Sequence, residues 1–320
     1  MNIKYILIVL GEPYSTFSEI IGKFFIKKRK LKKKIIIIGN IKLLKKQLDQ
    51  LNYLFPLNKI ENIKKAKKGI VNIIDVEFDF KNIYSEITSE SNKYINKSFS
   101  ISLNILKKLK KNCVLINGPI SKKTFLKKKH LGITEYLSKK TGSKNEVMLI
   151  YNNNFSVSPL TTHIPIKFVA KSINKTKIIK NISLINKFYK KILNKNIKIA
   201  VLGLNPHCET VDKYSEEEKI INPAIIHLKK RGIEIDGPFS ADTFFFRKNL
   251  KKYSVIFGMY HDQVLTPIKT LVNFKAINIT LGLPFIRISP DHGPNSDMIG
   301  KGKSDPSSFF YAMKFIENLK

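Results

Sequence analysis

Three of the chain's six histidines stand just downstream of short apolar runs. His163 ends Leu160-Thr161-Thr162-His163, His207 ends Asn205-Pro206-His207 after the run Ile199 to Leu204, and His261 follows Val255 to Met259 and Tyr260. In open α/β sheets ligands bind beyond the carboxyl ends of the strands, so these are places to look for chemistry. Imidazole nitrogens bind borderline divalent ions, and three of them leave coordination positions open for water or substrate. The separations, 44 and 54 positions, match no local metal motif. Spacing alone therefore leaves two readings: one shared ion site, or three separate surface or hydrogen-bonded imidazoles. His130, in a lysine-rich stretch, His227, in a helix, and His292 read as the second kind.

These loops need elements to carry them. Short β-branched runs recur at Ile3 to Leu10, Ile35 to Ile38, Ile70 to Ile74, Val114 to Ile116, Val147 to Ile150, Ile199 to Leu204, Val255 to Phe257 and Ile277 to Thr280. Each has strand length, and many are separated by longer stretches of helical period. Ser215 to Lys230 is one: Glu216, Glu217 and Glu218 crowd its start, Lys229, Lys230 and Arg231 its end, and Gly232 follows as a stop. Thr16-Phe17-Ser18-Glu19 has the spacing of a capping box opening the first helix. Strands alternating with helices predict an α/β fold with a largely parallel sheet. A length of 320 residues suggests two domains at roughly 150 residues each.

Composition narrows the class. The 58 Lys and Arg against 24 Asp and Glu give +34, but only four are arginines, at positions 29, 231, 247 and 287. Lysine, isoleucine and asparagine together mark an A/T-biased coding sequence, so much of the charge reads as compositional drift. A nucleic-acid surface, the alternative, clusters arginine and interleaves aromatics, whereas these lysines run nearly end to end. No specific nucleic-acid partner is expected, and runs such as Lys27 to Lys34 and Lys122 to Lys129 read as solvated faces or loops. Cys113 and Cys208 suggest no disulfide framework and fit a reducing compartment. No stretch approaches the roughly 18 to 20 apolar residues of a membrane span, and Tyr5 to Leu10 reads as a first strand. The expectation is a cytoplasmic protein with no membrane partner.

The segments around the histidines carry more. In order they are Gly118-Pro119-Ile120-Ser121-Lys122, Thr134-Glu135-Tyr136-Leu137, Leu160 to Pro165, Gly203-Leu204-Asn205-Pro206-His207, Gly237-Pro238-Phe239-Ser240-Ala241-Asp242-Thr243 and Met259-Tyr260-His261-Asp262-Gln263. Asn278 to Arg287, reading Asn-Ile-Thr-Leu-Gly-Leu-Pro-Phe-Ile-Arg, then Asp291-His292-Gly293 and Gly300-Lys301-Gly302-Lys303 complete the series. This order resembles the 4-hydroxythreonine-4-phosphate dehydrogenase family of vitamin B6 biosynthesis, from about residue 113 to the end, with a weaker echo at Gly11-Glu12-Pro13.

The resemblance implies two α/β/α domains with a cleft between them, of the isocitrate and isopropylmalate dehydrogenase type. Residues 1–130 with 290–320 would form a first, discontinuous domain and 131–289 a second carrying the site. It implies a homodimer with its active site at the subunit interface. NAD or NADP would serve as cofactor, with one divalent ion (zinc, magnesium or cobalt) on His163, His207 and His261. Thr134, Lys269, Asn278 and Arg287 fall on substrate-contacting positions. Without that context Lys269 reads as a surface lysine, Arg287 as a domain salt bridge, and Thr134 and Asn278 as capping or turn residues. Asp242 and Asp262 are candidates to orient the imidazoles, Asp242 equally a helix cap. Asp291, His292, Gly293 and Gly300 are the region for cofactor contacts; the family uses no Rossmann glycine fingerprint, and none is present.

The implied reaction oxidises 4-phosphohydroxy-L-threonine to 2-amino-3-oxo-4-phosphooxybutanoate, which decarboxylates to 3-amino-2-oxopropyl phosphate on the route to pyridoxine 5'-phosphate. No residue is singled out as general base. Three departures from the family pattern stand out. Ile133 replaces a histidine before Thr134, Tyr14 to Ser18 replaces a glycine-rich stretch, and Cys208-Glu209-Thr210 replaces glycines after His207. Two alternatives follow: a dehydrogenase of a related phosphorylated hydroxy acid, or a basic nucleic-acid-binding protein on the same fold.

Overall fold

The computed structural model describes residues 3–28, 32–109, 112–121, 123–126, 132–208, 215–290 and 294–319. The chain divides into two compact units, Met1–Ser143 with Leu283–Lys320, and Lys144–Gly282.

The first unit contains β1 (Tyr5–Val9), α1 (Phe17–Lys27), β2 (Lys34–Gly39), α2 (Ile41–Gln50), β3 (Leu57–Lys59), β4 (Val71–Asp75), α3 (Ser91–Leu109), β5 (Cys113–Asn117) and α4 (Ile133–Thr141). After the second unit the chain returns to it as β12 (Ile286–Pro290) and α11 (Ser307–Asn318). Its strands lie in the order β3-β4-β2-β1-β5-β12, every pair parallel. Leu7 to Val9 and Ile35 to Ile38 are at most 1% exposed, as expected of parallel strands covered on both faces. One face packs Leu7, Val9, Ile36 and Ile38 against Tyr94, Phe99 and Leu137. Phe24 and Phe17 of α1 stack edge-on with Phe309 of α11, at 5.2 and 5.7 Å between centroids.

The expected capping box does not form. Thr16 occupies the N-cap of α1, but its side chain makes no cap bond. Glu19, 1% exposed, turns to a distant loop, accepting the N–H groups of Gly302 (3.2 Å) and Ser304 (2.6 Å). Lys23 pairs with Glu19 at 2.8 Å and donates to the carbonyls of Gly302 and Ser304. The carboxylate is thus drawn away from the helix end by buried donors.

The second unit runs β6 (Val147–Tyr151), β7 (Ser156–Pro159), α5 (Val169–Ser172), α6 (Lys175–Phe188), β8 (Ile199–Leu202), α7 (Asn222–Lys230), β9 (Ile235–Phe239), α8 (Ala241–Phe244), α9 (Arg247–Lys252), β10 (Val255–Gly258), α10 (His261–Val272) and β11 (Ile277–Leu281). The strand order is β11-β6-β7-β10-β8-β9. β11 and β7 flank β6 antiparallel, and β7, β10, β8 and β9 run parallel. The helix expected over Ser215 to Lys230 is α7 preceded by a π-helical turn, Glu217–Ile221. No helix among the described residues is long and apolar enough to cross a membrane.

Candidate active site

Three neighbouring parallel strands of the second unit each deliver one histidine from their carboxyl ends. His163 follows β7, His261 opens α10 after β10, and His207 follows β8. The exits of β7 and β10 are joined tightly. Leu160 donates its N–H to Gly258 O at 2.8 Å, and buried Thr161 donates to Met259 O from both N–H (3.2 Å) and Oγ1 (2.8 Å). The rings of His163 and His261 consequently stand with centroids 5.9 Å apart. Nδ1 of His261 lies 2.6 Å from Asp262 Oδ1, which orients that ring.

The β8 exit is built differently. Glu217 is 1% exposed. Its Oε1 accepts the N–H groups of Leu204 (2.7 Å) and Asn205 (2.8 Å), and its Oε2 accepts from Asn205 Nδ2 at 2.8 Å. Burial opposes ionisation, but these donors outweigh it and hold the carboxyl below its ordinary value. Gln263, 8% exposed, bridges two strand ends: Oε1 accepts Met259 N–H and Nε2 donates to Gly203 O, both at 2.7 Å. A Cβ on Gly203 would crowd Cys208 Sγ and Glu217 Oε1, so a larger residue there would displace one of those side chains. His207 and Cys208 both have left-handed backbone angles, φ 57° and 58°, uncommon for residues with a Cβ.

His163 and His261 are thus brought together, while His207 is presented from the adjacent strand and stands apart. Among the described residues no three His, Cys, Asp or Glu side chains are gathered closely enough to hold an ion. The pair nevertheless suits one: two imidazoles sharing a tetrahedral ion at about 2.1 Å per nitrogen place their centroids about 5 Å apart. Asp242 lies in the α8 turn, where its Oδ1 accepts from Ser240 Oγ and from Thr243 N–H. The Ser240 bond chiefly, with the Thr243 N–H and the nearby charge of His207, holds its carboxyl below the ordinary value. It is thus committed to the first turn of α8, whose N-cap is Ser240 and carries no side-chain cap bond.

A second polar group lies in the first unit. Arg287, within β12 and 1% exposed, donates from Nε to Asn117 Oδ1 at the end of β5 (2.8 Å) and from Nη1 to Thr134 Oγ1 on α4 (3.1 Å). Burial lowers its pKa to about 10, with Glu135 opposing, so it stays charged at neutral pH. Ile133 packs against the apolar cluster beneath α4. Tyr14 and Phe17 are also buried, 8% and 1% exposed.

Lys269 is exposed on the last turn of α10, eight positions past His261 and so about 12 Å along the axis. Asn278 on β11 has a buried Oδ1 with no hydrogen-bond partner among the described residues. Asp291, His292, Gly293 and His130 lie outside the described residues. Gly300 has φ +71°, with the Tyr84 ring where a Cβ would be.

Sequence reasoning passed over Thr161, Glu217, Gln263 and Asn117. Glu217 looked like one of three helix-opening acids, and Gln263 lay unremarked inside its motif. Only the proximity of Thr161, Glu217 and Gln263 to a histidine-bearing loop, and of Asn117 to the Gly118-Pro119 segment, could have flagged them.

A family model described as "Pyridoxal phosphate biosynthetic protein PdxA" matches residues 31–316. A 4-hydroxythreonine-4-phosphate dehydrogenase of Sulfurihydrogenibium sp. is 38% identical, over 98% of this chain and 97% of its own length. A D-threonate 4-phosphate dehydrogenase of Pectobacterium atrosepticum is 27% identical over 99% of both. Among solved structures, a 4-hydroxythreonine-4-phosphate dehydrogenase from Burkholderia phymatum superposes with TM-score 0.80 at 26% identity, over 98% of each chain. Isocitrate dehydrogenase from Methylococcus capsulatus shares the fold, at TM-score 0.51 and 9% identity over 99% of this chain and 84% of that one.

Proposed function

The chain belongs to the PdxA family of pyridoxal phosphate biosynthetic proteins, and from that premise we propose that it oxidises 4-phosphohydroxy-L-threonine with NAD or NADP as hydride acceptor. The product, 2-amino-3-oxo-4-phosphooxybutanoate, is a β-keto acid that loses carbon dioxide to give 3-amino-2-oxopropyl phosphate. The observation that carries the reading is the His163–His261 pair at the ends of adjacent strands, with His207 on the next strand over.

We assign His163, His207 and His261 as ligands of a zinc, magnesium or cobalt ion, which when bound would supply Lewis-acid polarisation of a substrate oxygen. Asp262, 2.6 Å from His261 Nδ1, would accept that ring N–H as a hydrogen bond and leave the Nε2 lone pair for the ion. Arg287, kept cationic and held by Asn117 and Thr134, suits a phosphate or carboxylate, and Thr134 supplies a hydroxyl beside it. The unsatisfied Oδ1 of Asn278 matches a substrate ammonium group. Lys269 is assigned to the substrate, in a homodimer in which two copies build each active site. Gly300 and the segment 291–293 are assigned to cofactor contacts, and the compartment is the cytoplasm.

The test is NADH formation from 4-phosphohydroxy-L-threonine with added divalent ion, and its loss in His207→Ala. Folded protein that forms no NADH at saturating substrate, cofactor and ion refutes the assignment. A related substrate is the second reading, favoured by Ile133, whose apolar side chain is committed to the core. Faster turnover of a phosphorylated hydroxy acid lacking the ammonium group would decide for it.

A further inference from the structure

We propose that Glu217 and Gln263 are positioning residues that tie the His207 loop to the β10 exit carrying His261, so that His207 can close on an ion bound by the His163–His261 pair, setting the affinity for a divalent ion without touching it. The inference rests on the ion-binding role of the three histidines proposed above.

Glu217 is a buried carboxylate, a group that persists in a protein interior only when its charge is answered. Here the answer comes from one loop: the N–H groups of Leu204 and Asn205 and the amide of Asn205, all within 2.8 Å. Pro206 and His207 follow directly. A carboxylate serving only its own helix would face that helix's N–H groups; this one takes its own backbone N–H but also the donors of the histidine loop. The loop needs restraint, because two successive non-glycine residues, His207 and Cys208, are left-handed, and such a backbone persists only where its surroundings impose it. Gly203 packs closely against Cys208 Sγ and Glu217 Oε1, so a Cβ there would push on one of them.

Gln263 supplies the other coordinate. It sits two positions after His261, and its amide joins Met259 N–H, at the β10 exit, to Gly203 O, at the β8 exit. The His261 turn and the start of the His207 loop are therefore tied through one side chain. Glu217 defines the loop's shape, and Gln263 defines its distance from the pair.

The experiment is cobalt(II) binding to purified protein, followed by equilibrium dialysis and by the visible absorption of the bound ion. Variants are Glu217→Gln, Gln263→Leu and His207→Ala, and the double variants with His207→Ala. Glu217→Gln sets an amide donor against Asn205 Nδ2; Gln263→Leu keeps the bulk and removes both bonds. Each single variant is expected to bind cobalt about 10- to 100-fold more weakly with unchanged circular dichroism. In the His207→Ala background neither substitution should weaken binding further. A purely structural role would lower affinity in both backgrounds alike. Wild-type affinity in Glu217→Gln and Gln263→Leu, or weakening that persists without His207, overturns the proposal. Should Glu217→Gln fail to fold, Gln263→Leu decides alone. Absence of cobalt binding by the wild type overturns the ion-binding reading, and the inference with it.

Discussion

Arg287 donates from Nη1 to Thr134 Oγ1 at 3.1 Å, joining positions 153 residues apart. The contact exists because β12 lies parallel beside β5, so that the last piece of the chain meets α4 across the end of the first unit's sheet. Asn117 and Thr134 orient the guanidinium through neutral oxygens, with Glu135 as a nearby negative charge.

Replacing Arg287 by Lys should therefore be far from conservative. An ammonium group is a point donor and cannot reach Asn117 and Thr134 in the forked geometry of a guanidinium, so KM for the phosphorylated substrate should rise about tenfold or more. Thr134→Ala removes one neutral partner and should cost only about threefold. Steady-state kinetics checks both, and equal effects from the two would contradict the assignment.

Glu12 gives a pH signature. It is 1% exposed at the exit of β1, accepts from Ser91 Oγ at 2.7 Å, and has an Oε2 with no partner among the described residues. Burial raises its pKa from 4.5 to about 7, against the lowering effect of the Ser91 and Ser121 bonds. A carboxyl with a raised folded pKa binds its proton more tightly in the native state. Its stabilising contribution is whole below 4.5 and lost as pH rises through about 7. The loss amounts to something on the order of 3 kcal/mol. Glu12→Gln should flatten urea stability across that window and exceed the wild type on its alkaline side; a parallel pH profile would refute this.

Ion binding should be visible in the melting temperature. An ion that binds only the native state adds about 2.7 kcal/mol at a hundredfold excess over its Kd. Zinc or cobalt should therefore raise the wild-type melting point, and chelator should reverse the rise. His163→Ala and His261→Ala should each abolish the shift, whereas His227→Ala should keep it in full.

The Glu19 clamp predicts a purely structural loss. Glu19→Ala strands the N–H groups of Gly302 and Ser304 and leaves the Lys23 ammonium with only the two carbonyls, and should cost about 3 kcal/mol in denaturant unfolding. Glu19→Gln retains one acceptor and should cost less. If Glu19→Ala costs under about 0.5 kcal/mol, as an ordinary surface change does, the clamp carries no stability.

The eight apolar runs were readable as strands because strands buried on both faces become continuous hydrophobic sequence: six lie in parallel pairings, and the antiparallel β6 and β11 are nearly as buried. Four others escaped that rule: β3, β7, β9 and β12 read Leu-Asn-Lys, Ser-Val-Ser-Pro, Ile-Asp-Gly-Pro-Phe and Ile-Arg-Ile-Ser-Pro. Polar and proline residues break their apolar pattern. The adjacency of β7, β10 and β8, which brings His163 and His261 together, is long-range information that no local period encodes. Glu19 and Glu217 failed in the same way, since a carboxylate near a helix start has a local explanation until a distant backbone claims it. The histidine loops themselves were legible because strand ends are marked by sharp changes from apolar to polar residues.

The first unit's division into Met1–Ser143 and Leu283–Lys320 has a consequence for biosynthesis. A ribosome finishes the second unit, Lys144–Gly282, while β5 still lacks its neighbour β12 and α1 still lacks Phe309. Domains generally fold as they emerge, amino-terminal part first, but here the unit that begins first is completed last. The nascent chain must carry an open sheet edge until β12 has been made.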